Sequence, residues 1–216
     1  YFNVYVGIAL SQETGVNTLN TYRDTRFETI YGGGGCNGVE PHLAVEKQTI
    51  FDYVTRYSPI LEENLSRSLV ILVPNTTDYG GCSYLYDDGS AISVCCPSAA
   101  QYPSDTRGII QHEAGGHGFG KLADESIVYS NWIPVSLKSA IMGFHARGWY
   151  QNVALSSKFN EVPWADFIFD TRYSDQVDIY EGGFNLLPPP NSPWAALDSD
   201  FGLELAGYMS RIAELP

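Results

Sequence analysis

The run His112-Glu113-Ala114-Gly115-Gly116-His117 sets two imidazoles five residues apart, with a carboxylate directly after the first. These are the residue types of a helical metal centre. Imidazoles on one helix face can share a zinc ion, and the glutamate can lie beside the open position where water binds. Glu113 then serves as general base toward a water whose pKa the metal lowers to about 7. A catalytic zinc takes three protein ligands. Gly118 and Gly120 are expected to end the helix, after which Asp124 or Glu125 can return toward the metal. Asp124 is favoured as the third ligand. Glu125 is the second choice, or a partner that orients a histidine. The expectation is one zinc ion held by His112, His117 and Asp124.

The spacing constrains the helix that carries these groups. Histidines four apart lie about 40° from each other around an α-helix, whereas five apart they diverge by about 140°. A π-bulge adds a residue to the turn and returns His117 to the face of His112. Gly115 and Gly116 tolerate such a distortion, and they cost a plain α-helix roughly 1–2 kcal/mol.

The elements that must position this segment read as mixed strands and helices. Residues 2–9 look like a buried strand, and residues 11–37 are turn-rich, ending in a loop of four glycines. Leu43, Val45, Ile50, Tyr53 and Val54 have helical spacing over residues 43–57. Residues 68–73 read as a central strand. Asp88-Gly89 marks a hairpin between strands at about 82–86 and 91–96. A two-residue turn there pairs Cys82 with Cys95, which in an oxidising compartment allows a Cys82–Cys95 disulfide; the alternative, which is favoured, is free or partly buried thiols. The strand at 91–94 is a candidate for lying along a substrate cleft and pairing with an extended peptide. Ser104 or Asp105 caps the helix leading into the histidines. A further helix is expected over residues 134–146, a strand near residues 177–180, a stiff segment at 186–190 and a short helix near 202–214. No linker divides the chain, so residues 1–216 are read as one catalytic domain of α/β (α+β) class. In it a mixed sheet packs on the active-site helix.

Composition narrows the partners. The chain has 216 residues with 25 acidic and 12 basic side chains, a formal net charge of −13. That excess excludes a basic stripe for nucleic acid and argues against an anionic membrane surface. No apolar run has the length of a transmembrane segment. The start of the chain carries no leader, so it reads as a mature fragment or an excised domain.

The active-site block, with residues 102–111 before it, resembles that of the IgA peptidase family of zinc metallopeptidases. Further similar blocks are residues 1–15, 68–74, 79–92, Gly148-Trp149-Tyr150-Gln151-Asn152-Val153 and 180–183. The HExxxH spacing is also similar to that of the dipeptidyl-peptidase III family. The resemblance implies a zincin- or metzincin-like fold, secretion or display on a bacterial surface, and hydrolysis of peptide bonds in proteins. By position it makes His112 and His117 ligands, Glu113 the base, and the acidic pair Asp124-Glu125 the source of the third ligand. Ser126 stands where the family usually has an aromatic, and its methionine block is not recognisable. A retired protease fold serving as a surface binding or adhesion module is therefore the alternative, and zinc-dependent hydrolysis of a non-peptide amide a third. Tyr180 is a candidate hydrogen-bond donor to the transition state. His145 is the reserve ligand, and it and His42 otherwise read as surface or hydrogen-bonded histidines.

Overall fold

A computed structural model describes residues 2–31, 43–44, 46–76, 80–97, 105–123, 125–126, 135–156, 158–172, 179 and 183–184. For residues 43–44, 105, 125–126, 135–138 and 183–184 it describes the backbone alone. The fold is mixed α and β, with small sheets and a few helices. Two compact units divide the chain, Tyr1–Ala114 and Gly115–Pro216.

In the first unit, β1 (Asn17–Thr18), β2 (Ile30–Tyr31) and β3 (Leu43–Ala44) form a short sheet. Helix α1 (Lys47–Tyr57) starts later than its apolar spacing suggests, because Leu43 and Ala44 give their backbones to β2. A 3₁₀ helix (Glu62–Arg67) leads into β4 (Leu69–Leu72), followed by β5 (Gly81–Leu85) and β6 (Ala91–Cys95). The order β4-β6-β5 puts β6 in the middle, parallel to β4 and antiparallel to β5. All five residues of β6 are buried. Among the described residues β4 is thus an edge strand and not the central one expected. β6, bonded on both sides, has no edge left for a peptide.

Side-chain alternation gives this sheet two covered faces. Val94 packs with Val16 and Cys96, beside Leu72 and Tyr84. Ile92 packs with Ile50 and Phe51 of α1. On the opposite face Cys95 meets Ile109 and Ala114, beside Leu69 and Ile110. The sheet therefore lies between α1 and the helix that holds the His–Glu–His run.

The hairpin forms where expected, but its loop has three residues. Gly89 N–H donates to the Tyr86 carbonyl and Tyr86 N–H to the Ser90 carbonyl, at 2.8 and 3.1 Å. Gly89 takes φ +91°, the left-handed residue that closes a type I turn with a bulge. The extra loop residue moves the register by one, so Cys82 faces Val94 and Cys95 faces Gly81. Neighbouring positions point to opposite faces, which puts Cys82 and Cys95 on different sides of the sheet. The Cys82–Cys95 bridge is accordingly not formed: Cys95 is a buried free thiol, as the favoured alternative has it, whereas Cys82 is disulfide-bonded elsewhere.

Residues 2–10 correct a second expectation. They form no strand, and Phe2, Val4, Val6, Ile8 and Leu10 are exposed, Val6 by 91%. Alternation alone does not make a strand; it needs an edge to bond to. The Tyr53 hydroxyl of α1 ties this run down, donating to the Ile8 carbonyl at 3.1 Å.

Helix α2 (Asp105–Ile109) runs without interruption into a π-helix (Ile110–Phe119). In the second unit, β7 (Glu125–Ser126) pairs antiparallel with β8 (Gly183–Phe184). Helices α3 (Val135–Ala146) and α4 (Ala165–Ile168) lie between them in sequence. The helix expected over 134–146 is α3. A small core gathers Ala154, Val162 and Trp164 with Ala165, Ile168 and Ile179. Residues 177, 178 and 180, 186–190 and 202–214 lie outside the described residues. Among the described residues no helix is long and apolar enough to cross a membrane.

Candidate active site

The π-helix is ten residues long, where most π-helical geometry is a single-turn bulge. Its ladder joins residues five apart, so positions i and i+5 share a face. Two such pairs are buried, Ile109 with Ala114 and Glu113 with Gly118. His112 and His117 fall on one face by the same rule, with His112 exposed and His117 half-buried.

Two hydroxyls of the sheet reach into this helix. Ser83 and Ser93 are opposite each other on β5 and β6, with 2.7 Å between their Oγ atoms. Both donate to the backbone carbonyl of Glu113, at 2.6 and 3.1 Å. Side chains that enter the i→i−4 ladder distort a helix, and the adjacent glycines lower the cost of wider turns. The anchored carbonyl fixes Glu113 on the strand pair.

The Glu113 side chain is 8% exposed and lies against Gly81 of β5. A Cβ on Gly81 would stand 2.6 Å from Glu113 Cγ and 2.8 Å from Oε1. Glycine is what lets the carboxyl group occupy that place. Its charge is felt nearby: burial first, then Glu113 and Cys96, push the Cys95 thiol up to about 12. Burial first, then Tyr86 and Glu113, push the Tyr84 hydroxyl up to about 12.

The helix ends one residue wider than an ordinary Schellman turn. Gly120 N–H donates to the Gly115 carbonyl at 2.9 Å, Lys121 N–H to His117 at 3.1 Å, and Leu122 N–H to Gly116 at 3.2 Å. The left-handed residue is Lys121, φ +55°, and not a glycine. Gly118 is inside the helix, and Gly120 is needed for space: its Cβ would meet the Gly116 carbonyl at 2.8 Å.

The chain then turns back so that the Leu122 carbonyl stands 2.6 Å from His117 Nδ1. A carbonyl only accepts, so Nδ1 carries a proton, and in the neutral ring the lone pair is on Nε2. Metal-binding histidines take this form, donating one ring N–H to a carbonyl or carboxylate. The segment that does this is itself held. Tyr150 N–H donates to the Lys121 carbonyl at 2.7 Å. Asn152 is 3% exposed, and its amide bonds Ala123 both ways: Ala123 N–H to Oδ1 at 2.9 Å, Nδ2 to the Ala123 carbonyl at 2.8 Å.

Of the remaining expected site residues, Asp124, Tyr180 and His42 lie outside the described residues. Glu125 is in β7, where its backbone alone is described. Among the described residues no three His, Cys, Asp or Glu side chains cluster to hold a metal. His145, in α3, lies 3.1 Å through Nε2 from the Tyr150 carbonyl, the hydrogen-bonded role expected of it. Sequence reasoning did not single out Gly81, Ser83, Ser93 or Asn152. The serines and Gly81 become visible once the hairpin register is right. No protein-family model matches the chain, and no curated protein matches it.

Proposed function

We propose that this chain is a zinc metallopeptidase with a zincin-like catalytic domain, secreted or displayed at a bacterial surface. It hydrolyses peptide bonds of extracellular proteins. His112, His117 and Asp124 would hold one zinc ion, with Glu113 as general base. The observation that carries the reading is the π-helix: its i→i+5 turns bring the histidines of HExxxH toward one face, as an α-helix does for HExxH.

The residues present fit the ion. Two imidazoles and a carboxylate are a zinc donor set, and the proton on His117 Nδ1 leaves Nε2 as the donor atom. When bound, zinc would supply a Lewis acid for the scissile carbonyl and acidify a water. Glu113 follows the first histidine and has its backbone bonded to the sheet, so its carboxylate is held in place to accept a proton and pass it to the leaving amine. Among the described residues β5 is the last strand of its sheet, next to Glu113. An extended substrate can add there as a further strand. The disulfide at Cys82 supports an oxidising compartment.

Elemental analysis of the purified protein should give one zinc per chain, lost in His117→Ala. Glu113→Gln should keep the zinc and lower peptide hydrolysis by about 10²–10⁴-fold. Retained turnover in Glu113→Gln would sink the mechanism. Bound zinc without hydrolysis of any unfolded protein substrate would leave the binding-module reading standing.

A further inference from the structure

The Leu122 carbonyl and the Ala123 N–H belong to one peptide unit. In a trans peptide these two groups point to opposite sides. Here each has a partner. On one side Asn152 Oδ1 accepts from Ala123 N–H, and on the other the Leu122 carbonyl accepts from His117 Nδ1. The result is a chain of two hydrogen bonds through a single peptide plane, from a buried amide to an imidazole. Such chains polarise one another, so the bond at Ala123 strengthens the acceptor at Leu122. The second Asn152 bond, from Nδ2 to the Ala123 carbonyl, holds the following peptide unit, so Ala123 is tied to Asn152 on both sides.

We propose that Asn152 is a positioning residue for His117: it orients the Leu122–Ala123 peptide that selects the Nδ1–H tautomer and aims Nε2. This deepens the zinc reading and rests on it for its purpose, but not for its geometry. Asn152 touches neither substrate nor metal in this scheme. It acts through Leu122, as outer partners of metal-bound histidines do, whose loss typically weakens metal binding 10–100-fold.

Three substitutions separate this role from mere packing. Asn152→Ala and Asn152→Leu remove both bonds, and the leucine nearly fills the volume should the alanine variant not fold. Asn152→Asp keeps an acceptor for Ala123 N–H and replaces the donor to the Ala123 carbonyl by a repulsive oxygen. It should destabilise the protein yet preserve the link to Leu122. Val162→Ala, in the separate core with Trp164, is the control for stability alone.

Two readouts are taken on each protein. One is the pair of ¹⁵N ring shifts of His117 in the metal-free state, which reports the tautomer. The other is the zinc dissociation constant by chelator competition. Wild type, Asn152→Asp and Val162→Ala should show the Nδ1–H pattern. Asn152→Ala and Asn152→Leu should show mixed tautomers and bind zinc about 10–100-fold more weakly. Unchanged shifts and affinity in Asn152→Ala or Asn152→Leu overturn the proposal. So does a loss in Asn152→Asp equal to theirs, which would make the effect one of stability. Absence of zinc from wild type, with the shifts still following this pattern, removes the zinc reading and leaves the positioning of His117 intact.

Discussion

Glu113 keeps its carboxyl group where β5 has no side chain, and that is a residue-scale requirement. Gly81→Ala puts a methyl 2.6 Å from Glu113 Cγ, so the carboxyl group must move. Under the proposed mechanism the expected outcome is at least about a tenfold drop in peptide turnover with zinc content unchanged, since a misplaced general base costs that much or more. Steady-state kinetics with elemental analysis checks it. Cys95 and Cys96 illustrate the opposite case, groups near the site with no part in it. Both are buried, and the Cys95 thiol is held protonated up to about 12 by burial and the neighbouring carboxylate. A thiol reagent at pH 8 should label neither in the native protein and both on unfolding. The chemistry proposed for the His–Glu–His run rests on residue types alone. The supporting residues were not, because a serine or an asparagine declares itself only through the partner it faces, and those partners are 20 to 30 positions away.

At the scale of elements, the helix and the hairpin show how far local pattern reaches. Two adjacent glycines and a five-residue spacing together pointed to a wide helical turn, and the structure extends that turn to ten residues. The hairpin was legible from Asp88-Gly89, but loop length set its register, and a loop of three moved every pair by one. Strand order was not legible at all. It depends on which edge a strand finds, and residues 2–10 have the alternation without the edge. The glycines in and just after the π-helix make separable predictions. Gly115 is exposed and a Cβ there meets nothing within 4 Å, so Gly115→Ala should be tolerated, with stability unchanged or raised by up to about 1 kcal/mol. Gly120→Ala must displace the Gly116 carbonyl and the Leu122 side chain and should cost about 1–3 kcal/mol. Urea unfolding of the two variants side by side checks the contrast.

For the whole molecule, pH and redox state are the sharpest probes. Cys95, Tyr84 and Tyr86 titrate near 9 to 10 when unperturbed and at about 12 in the fold, burial being the largest cause for each. The folded state then holds protons that the unfolded chain releases. Stability is full below about pH 9 and should fall progressively from there to about pH 12. At the acid end Asp88 is held down to about 2, by the Ser90 hydroxyl first and then Lys47. Its contribution is present above the ordinary value of 3.8 and should fade between there and pH 2. Thermal unfolding across pH 2–12 reads both limbs. Reduction of the Cys82 disulfide should lower stability by about 2–4 kcal/mol, checked by unfolding with and without reductant. Composition foresaw the absence of a membrane-spanning helix among the described residues, but charge is too diffuse a quantity to indicate a fold.

The π-helix also has a meaning in heredity. A helix that repeats every five residues differs from one with its histidines four apart by a single amino acid, so three nucleotides separate the two spacings. Ser83, Ser93 and Glu113, which tie the helix to the strand pair, all precede Gly115 in sequence, so its deletion removes none of them. One small deletion or insertion can therefore carry a lineage between the two motifs, and a pattern written for either spacing will pass over descendants that hold the other.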